Sequence, residues 1–251
     1  MIFYPESLPT RIIIYINKRY AGIHSINFLS RKAFHTIVLL YCIYSTAVCA
    51  TVITKPKNSA PWVGTDLSGA PCHGNGQGYG PFDYTNPIDR EKKLPIVTKF
   101  HFTPEVERLI RGESGSVGGD LDYTLRAFPN HHRALYSIIK YKMKMAKIGK
   151  ALSTPPECYL QRAINYKNNN DPVTEMLYGL YLQNMKHYKD ALTHYRMSIK
   201  LNPKASETHY NLGLLYYDMK KYKEARTQSD ISKKLGYPLH GLSKMLNHIG
   251  E

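Results

Sequence analysis

Apolar and polar residues alternate with a helical period through most of the chain beyond residue 103. Ala134, Leu135, Ile138 and Ile139 fall on one stripe, the spacing of a helix that buries one face, and predict a helix over 130–147 with Asn130 as its cap. Upstream, Thr103 can cap "PEVERLIRG" (104–112), Pro104 suits a first helical position, and Glu105 and Glu107 suit the positive end, with Gly112 as the stop. "GESGSVGG" then reads as a flexible break. Asp120 or Asp122 can cap a further helix over 121–128, which has to end before Pro129. "LPIVTKFHF" (94–102) reads as one short strand or an extended segment. Downstream, Leu160 and Ala163 mark a helix over 157–172, separated from its predecessor by "STPP", and "PLHGLSKMLNHI" (238–249) reads as a closing helix.

A longer period lies over this one. Gly179 and Gly213 stand 34 residues apart, as do Tyr188 and Tyr222, and Ala191 and Ala225. "MLYGLYLQNMKHYKDALTHYRMSIKLNP" aligns on "YNLGLLYYDMKKYKEARTQSDISKKLGYP" at that offset. A repeat of this length made of two helices cannot bury its apolar faces alone, so neighbours must stack into a solenoid. Glycine on the first helix lets the second approach, here expected where Ala191 or Ala225 sits, and Pro203 ends a second helix. The segment 172–239 resembles two tetratricopeptide repeats. Gly179, Tyr188, Ala191, Tyr195 and Pro203 carry one; Leu212, Gly213, Tyr216, Tyr222 and Ala225 carry the other. The resemblance departs at the opening tryptophan position, where Glu175 and His209 stand. Beyond the leader, "GPFDY", "HFTPEVERLIRG", "DLDYTLRAFPNHHRAL" and "YNLGLLYYDM" also resemble exported bacterial repeat proteins of unassigned activity, which implies a periplasmic helical-repeat protein. The expected fold is an all-α solenoid of about 3.5 helical hairpins with a C-terminal capping helix, over 103–251. Its clearest units are 172–205 and 206–239.

Residues 51–102 break the pattern. "PCHGNGQGYGPFDYTNP" (71–87) holds four glycines and three prolines and predicts an irregular segment. No strand precedes it and no Gly-Lys-Ser/Thr follows, so it is not a phosphate loop. Residues 1–50 form a leader. "RKAFHTIVLLYCIYSTAVCA" (31–50) has the order of a secretory signal: a basic pair, an apolar run, then small residues. Cleavage is expected after Ala50; the alternatives are a lipidated Cys49 and an inner-membrane anchor over 33–50. Residues 1–30 fit either a long basic region or an upstream start. Export leaves Cys72 and Cys158, which an oxidising compartment would pair.

The net charge of +15 invites a nucleic-acid reading. The leader contributes part of it, the remaining lysines are scattered, and no nucleic-acid motif occurs, so no nucleic-acid partner is expected. Tyrosine is abundant, 21 copies against 7 Phe, which suits a thin, half-exposed architecture.

Candidate chemistry gathers in "DLDYTLRAFPNHHRALYSI" (120–138). A metal or hydrolytic site using His101, His131 and His132 is the rival reading, but adjacent histidines point about 100° apart on a helix and chelate together poorly. Asp122, Arg126, Asn130, His131 and His132 are better read as a buried polar knot that holds the N-terminal loop. No catalytic residue, metal or cofactor is expected. The binding surface is expected on the concave face formed by first helices: Met176, Leu180, Gln183 and Asn184 in one unit, Tyr210, Asn211, Leu214 and Tyr217 in the next. That mix of aromatic walls and polar hooks suits a peptide segment or an envelope partner, with retention in the membrane as the other possibility.

Overall fold

The structure, a computed structural model, describes residues 59–249. The leader, its cleavage site and its two cysteines lie outside the described residues. Eleven helices run through the described part, which holds no strand beyond a single bridge between Thr65 and Pro71. They are α1 (Pro87–Lys92), α2 (Leu94–His101), α3 (Pro104–Glu107), α4 (Val117–Ala127), α5 (His132–Ala146), α6 (Pro156–Tyr166), α7 (Pro172–Asn184), α8 (Tyr188–Leu201), α9 (Ser206–Asp218), α10 (Tyr222–Lys234) and α11 (Gly241–Asn247). None is long and apolar enough to cross a membrane.

The C-terminal half is a stack of hairpins. α7 packs on α8, α9 on α10, and the α5–α6 pair precedes them. One apolar core runs through all of them, from Phe102 and Leu121 to Leu242 and Leu246. α11 closes the stack against α9 and α10. The all-α repeat solenoid is therefore the fold.

The glycine contacts follow the repeat pattern in part: a Cβ on Gly213 would lie 3.4 Å from the Ala225 carbonyl, but closer atoms come from residues that the pattern does not name. A Cβ on Gly179 would come within 2.9 Å of the Tyr195 ring, one turn beyond Ala191. A Cβ on Gly213 would meet Leu242 of α11 at 2.5 Å. The counterpart of Tyr195 in the second hairpin is Ser229, and the small serine leaves room that the closing helix fills.

The N-terminal half departs from expectation in four places. "LPIVTKFHF" is helical in α2, because that spacing aims Leu94, Val97 and His101 at α4 while leaving Ile96 (52% exposed) and Phe100 (47%) outside. A strand would have put Leu94, Ile96 and Phe100 on one face and turned Val97 to the other. Helices thus begin at Pro87, inside the stretch read as irregular. α3 ends at Glu107 rather than at Gly112. Leu109 turns to a φ of 62°, which buries its side chain while Ile110 stays exposed, and Thr103 gives α3 no side-chain cap. Ser116, not an aspartate, caps α4 by accepting from Gly119 N (3.1 Å). Asp120 instead accepts from the Glu113 and Ser114 amides at 2.7 and 3.2 Å, pinning the break that looked flexible. Finally His131, not Asn130, caps α5, its Nδ1 accepting from Ala134 N at 3.2 Å.

Candidate functional site

Residues 59–85 lie as a strap against α4 and α6. A disulfide joins Cys72 to Cys158 of α6, with Cα atoms 5.3 Å apart. Around it, Asp122 accepts from the Tyr159 hydroxyl (2.7 Å), the Asn75 amide (2.9 Å) and Arg126 Nε (2.9 Å). Arg126 donates onward to the Gly76 carbonyl at 2.9 Å, and Gln77 donates to the Arg126 carbonyl at 3.0 Å. Asn130 accepts from Tyr84 N (2.9 Å) and donates to Asp83 (2.7 Å). Burial alone would raise Asp83, but hydrogen bonds from Lys167, Thr85 and Asn130 outweigh it and hold its carboxyl at about 2. Glu157, buried in α6, accepts from Leu67 N (3.0 Å) and the Tyr181 hydroxyl (2.5 Å).

The centre of this network is a residue that sequence reasoning passed over. Arg162, 2% exposed, donates to the carbonyls of Ala60 (2.6 Å) and Leu125 (2.8 Å) and to the Gln77 side chain (2.7 Å), and lies under the Trp62 ring at 4.8 Å. Burial lowers its guanidinium only to about 10, so it stays charged at neutral pH. Its partners are mostly backbone carbonyls distant in sequence, which leave no local signal.

The three histidines of the rival reading go to separate places. His101 donates to Asp120 at 2.9 Å and stacks on Tyr123. His132 donates to Asp171 at 2.8 Å, and Asp171 also caps α7. His131 is buried among Tyr84, Phe102 and Phe128, and that burial depresses it to about 3. Among the described residues, no group of three His, Cys, Asp or Glu side chains is placed to hold a metal.

The first helices α5, α7 and α9 form the inner face. Here Met176 and Tyr210 are buried: Tyr210 packs on Tyr237 at 4.7 Å, and its hydroxyl accepts from Leu242 N at 3.3 Å. α11 covers the end of α9 that carries Tyr210, and Met176 is buried within the core. Leu180, Gln183, Asn211, Leu214 and Tyr217 are half-buried and Asn184 is exposed. Gln183 donates to Asp218 at 2.7 Å, tying α7 to α9 across this face. At its other end, between α5 and α7, opens a groove of about 450 Å3 lined by Tyr136, Ile139, Lys140, Met143, Lys144, Lys147, Leu180 and Asn184. No residue of the strap lines it. Its α5 wall was legible in the sequence: Tyr136, Lys140, Lys144 and Lys147 recur at helical spacing, and no acid stands between Asp122 and Glu157.

Stacked helical hairpins with an open inner face define a helical-repeat protein. A family model described as "TPR repeat" matches residues 185–220, from the turn after α7 through the end of α9, and this stretch is similar to that repeat. No curated protein matches the sequence. Similar solved structures include YrrB, titled a TPR protein with an unusual peptide-binding site. It is 23% identical at a TM-score of 0.39, over 53% of this chain and 64% of that one. A MamA double mutant (RS-1) is 17% identical, with a TM-score of 0.41, over 59% and 78% of the two chains. MamA (AMB-1) is 14% identical at 0.36, over 47% and 67%. The chain thus spans just under two thirds of the YrrB chain.

Proposed function

We propose that the protein is an exported interaction scaffold that binds a peptide segment of a protein partner on the inner face of its repeats. The observation that carries this reading is the groove between α5 and α7. Its floor is apolar, its rim is polar, and it is open to solvent, the combination that gives a peptide both burial and orientation. The α7–α8 and α9–α10 hairpins continue the same face. Panning a displayed peptide library on the purified protein tests the idea. Enriched peptides are expected to lose at least tenfold in affinity with Leu180→Arg, and a lesser amount with Leu214→Arg. No enrichment, or binding indifferent to both changes, overturns it.

Export is supported by the order of residues 31–50 and by the Cys72–Cys158 bond, which a reducing cytosol would disfavour. Mass spectrometry of the native protein decides how the leader is used. An N-terminus at Thr51 fits a cleaved signal, and an intact 31–50 segment fits an anchored assembly factor. Titration of the denatured, unreduced protein should find neither Cys72 nor Cys158 free.

A further inference from the structure

Five lysines stand on or just after α5, at 140, 142, 144, 147 and 150. Three of them, Lys140, Lys144 and Lys147, share one side of the helix and line the groove. Like charges one turn apart disfavour a helix by a few tenths of a kcal/mol each, so the charge of this stripe does not favour the helix that carries it. Lys144 is held by the Leu109 carbonyl at 2.7 Å, and Lys140 lies 4.7 Å from the centre of the Tyr136 ring. Neither Lys140 nor Lys147 has an acidic partner among the described residues. No carboxylate lines the groove, and Glu157 and Glu175 of the adjoining helices are engaged elsewhere, Glu157 with Leu67 N and Tyr181 and Glu175 with His194 at 2.7 Å. The groove is therefore cationic along one wall, apolar on its floor, and without an internal counter-charge.

We infer that this groove binds an extended acidic peptide, with carboxylates on Lys140 and Lys147 and an apolar side chain seated over Ile139, Met143 and Leu180. The inference rests on the interaction reading above and narrows it to a ligand class. Charge argues against the chain's own N-terminus as occupant, since residues 1–58 carry seven Lys and Arg against the single Glu6. A second copy of the chain, at +15, is disfavoured in the same way. A nucleic acid satisfies the lysines but offers no side chain for the floor.

The spacing sets a pattern. Seven residues of helix separate Lys140 from Lys147 by about 10 Å along the axis. A peptide in the polyproline II form advances about 9 Å in three residues and returns to the same face. The favoured ligand thus has acids three apart with an apolar residue between them.

The test uses the purified protein and a fluorescein-labelled dodecamer of four Glu-Leu-Pro units, followed by fluorescence anisotropy. The acidic peptide is expected to bind at least tenfold tighter than its Gln-Leu-Pro counterpart. The double variant Lys140→Gln/Lys147→Gln should lose about that factor, with an unchanged far-ultraviolet circular dichroism spectrum. The double variant Lys142→Gln/Lys150→Gln removes the same charge off the stripe and should lose less than twofold. Equal binding of the two peptides overturns the inference, as does an equal loss in both double variants, which would mean only general charge attraction. Displacement of the peptide by a uridine dodecamer at lower concentration than by unlabelled peptide overturns it in favour of a nucleic acid. If panning enriches neutral peptides that depend on Leu180, the interaction groove stands and this inference alone fails.

Discussion

The two halves of the described chain are held together by different physics. Residues 172–249 are bound by repetition: each hairpin buries apolar residues against the next, and core positions 34 apart such as Tyr181/Leu215, Leu182/Tyr216 and Ala191/Ala225 do equivalent work. Residues 59–166 are bound by a strap whose contacts are largely polar, buried and unrepeated. Arg162, Asp122, Asn130 and Glu157 each reach backbone or side chains of that strap. A stacked repeat tolerates drift at one position because its neighbours share the load. A buried polar network does not, because removing one member leaves the others desolvated and unpaired.

The largest expected effect follows from that contrast. Arg162→Met keeps much of the volume but strands the Ala60 and Leu125 carbonyls and the Gln77 side chain. It should cost about 3–5 kcal/mol in urea denaturation. A loss under about 1 kcal/mol would mean that the strap is held by its disulfide and apolar contacts alone. A second effect separates the halves by pH. Burial, with help from His132, Arg133 and Arg90, holds His131 at about 3 against an ordinary 6.5. Between those values the unfolded chain binds a proton that the folded chain does not, so stability rises with pH across this window and is lost as pH falls from about 6.5. At pH 5 the loss should approach about 2 kcal/mol, before Asp83, which titrates near 2 in the fold, contributes much. His131→Asn keeps a capping acceptor and removes the titration. Its stability should be lower overall but flatter between pH 6.5 and 5, and an unchanged slope would remove His131 as the acid-sensitive group.

Within the repeating half, the comparison can be sharpened at the two glycines. Gly179→Ala forces a methyl against the buried Tyr195 ring, with no free end to swing away, and should cost about 1–3 kcal/mol. Gly213→Ala meets the Leu242 methyl of the short closing helix, which can shift, so its cost should stay under about 1 kcal/mol. Equal costs would show α11 to be as firmly seated as an internal hairpin.

Legibility follows the same division. The 34-residue period was readable at Gly179/Gly213, Tyr188/Tyr222 and Ala191/Ala225, and it carried the fold. The polar replacement of the opening tryptophan was readable too, at Glu175 and His209. Its consequence was not: Glu175 pairs with His194, and His209 Nδ1 lies 2.7 Å from the Gln228 side chain, again 19 residues on. Side-chain partners that recur with the period become visible only once one pair is placed. The strap's anchoring was hidden for a different reason. A donor such as Arg162 that bonds backbone carbonyls makes no demand on the residue types it touches. The cap of α5 was misread because His131 does the work that Asn130 is chemically suited to do, while Asn130 is spent on residues 83 and 84. On the first helices, periodicity marked Met176 and Tyr210 but said nothing of α11, whose packing removes Tyr210 from solvent.

The smallest effect concerns the turns inside the repeats. Lys186 and Lys220, 34 apart, both adopt left-handed backbone, with φ of 64° and 59°. Each closes its first helix: the next residue's amide, of His187 or Lys221, bonds back to Leu182 or Tyr216 at 2.9 and 2.8 Å. Both side chains are exposed. Between the two halves, the turn before α7 places Asn168 and Asn169 in this conformation, and asparagine adopts it at less cost than lysine. The repeating half therefore carries a small strain twice at equivalent lysines, while the strap-bound half carries it at Leu109, whose side chain is buried in return. Lys186→Gly and Lys220→Gly relieve about 1 kcal/mol of that strain each, and glycine's greater freedom in the unfolded chain takes back part of the gain. The double variant should be stabilised by about 1 kcal/mol, a rise in melting temperature of about 2–4 °C for a domain of this size. A fall in melting temperature would mean that the lysine side chains support the turns in a way their exposure does not suggest.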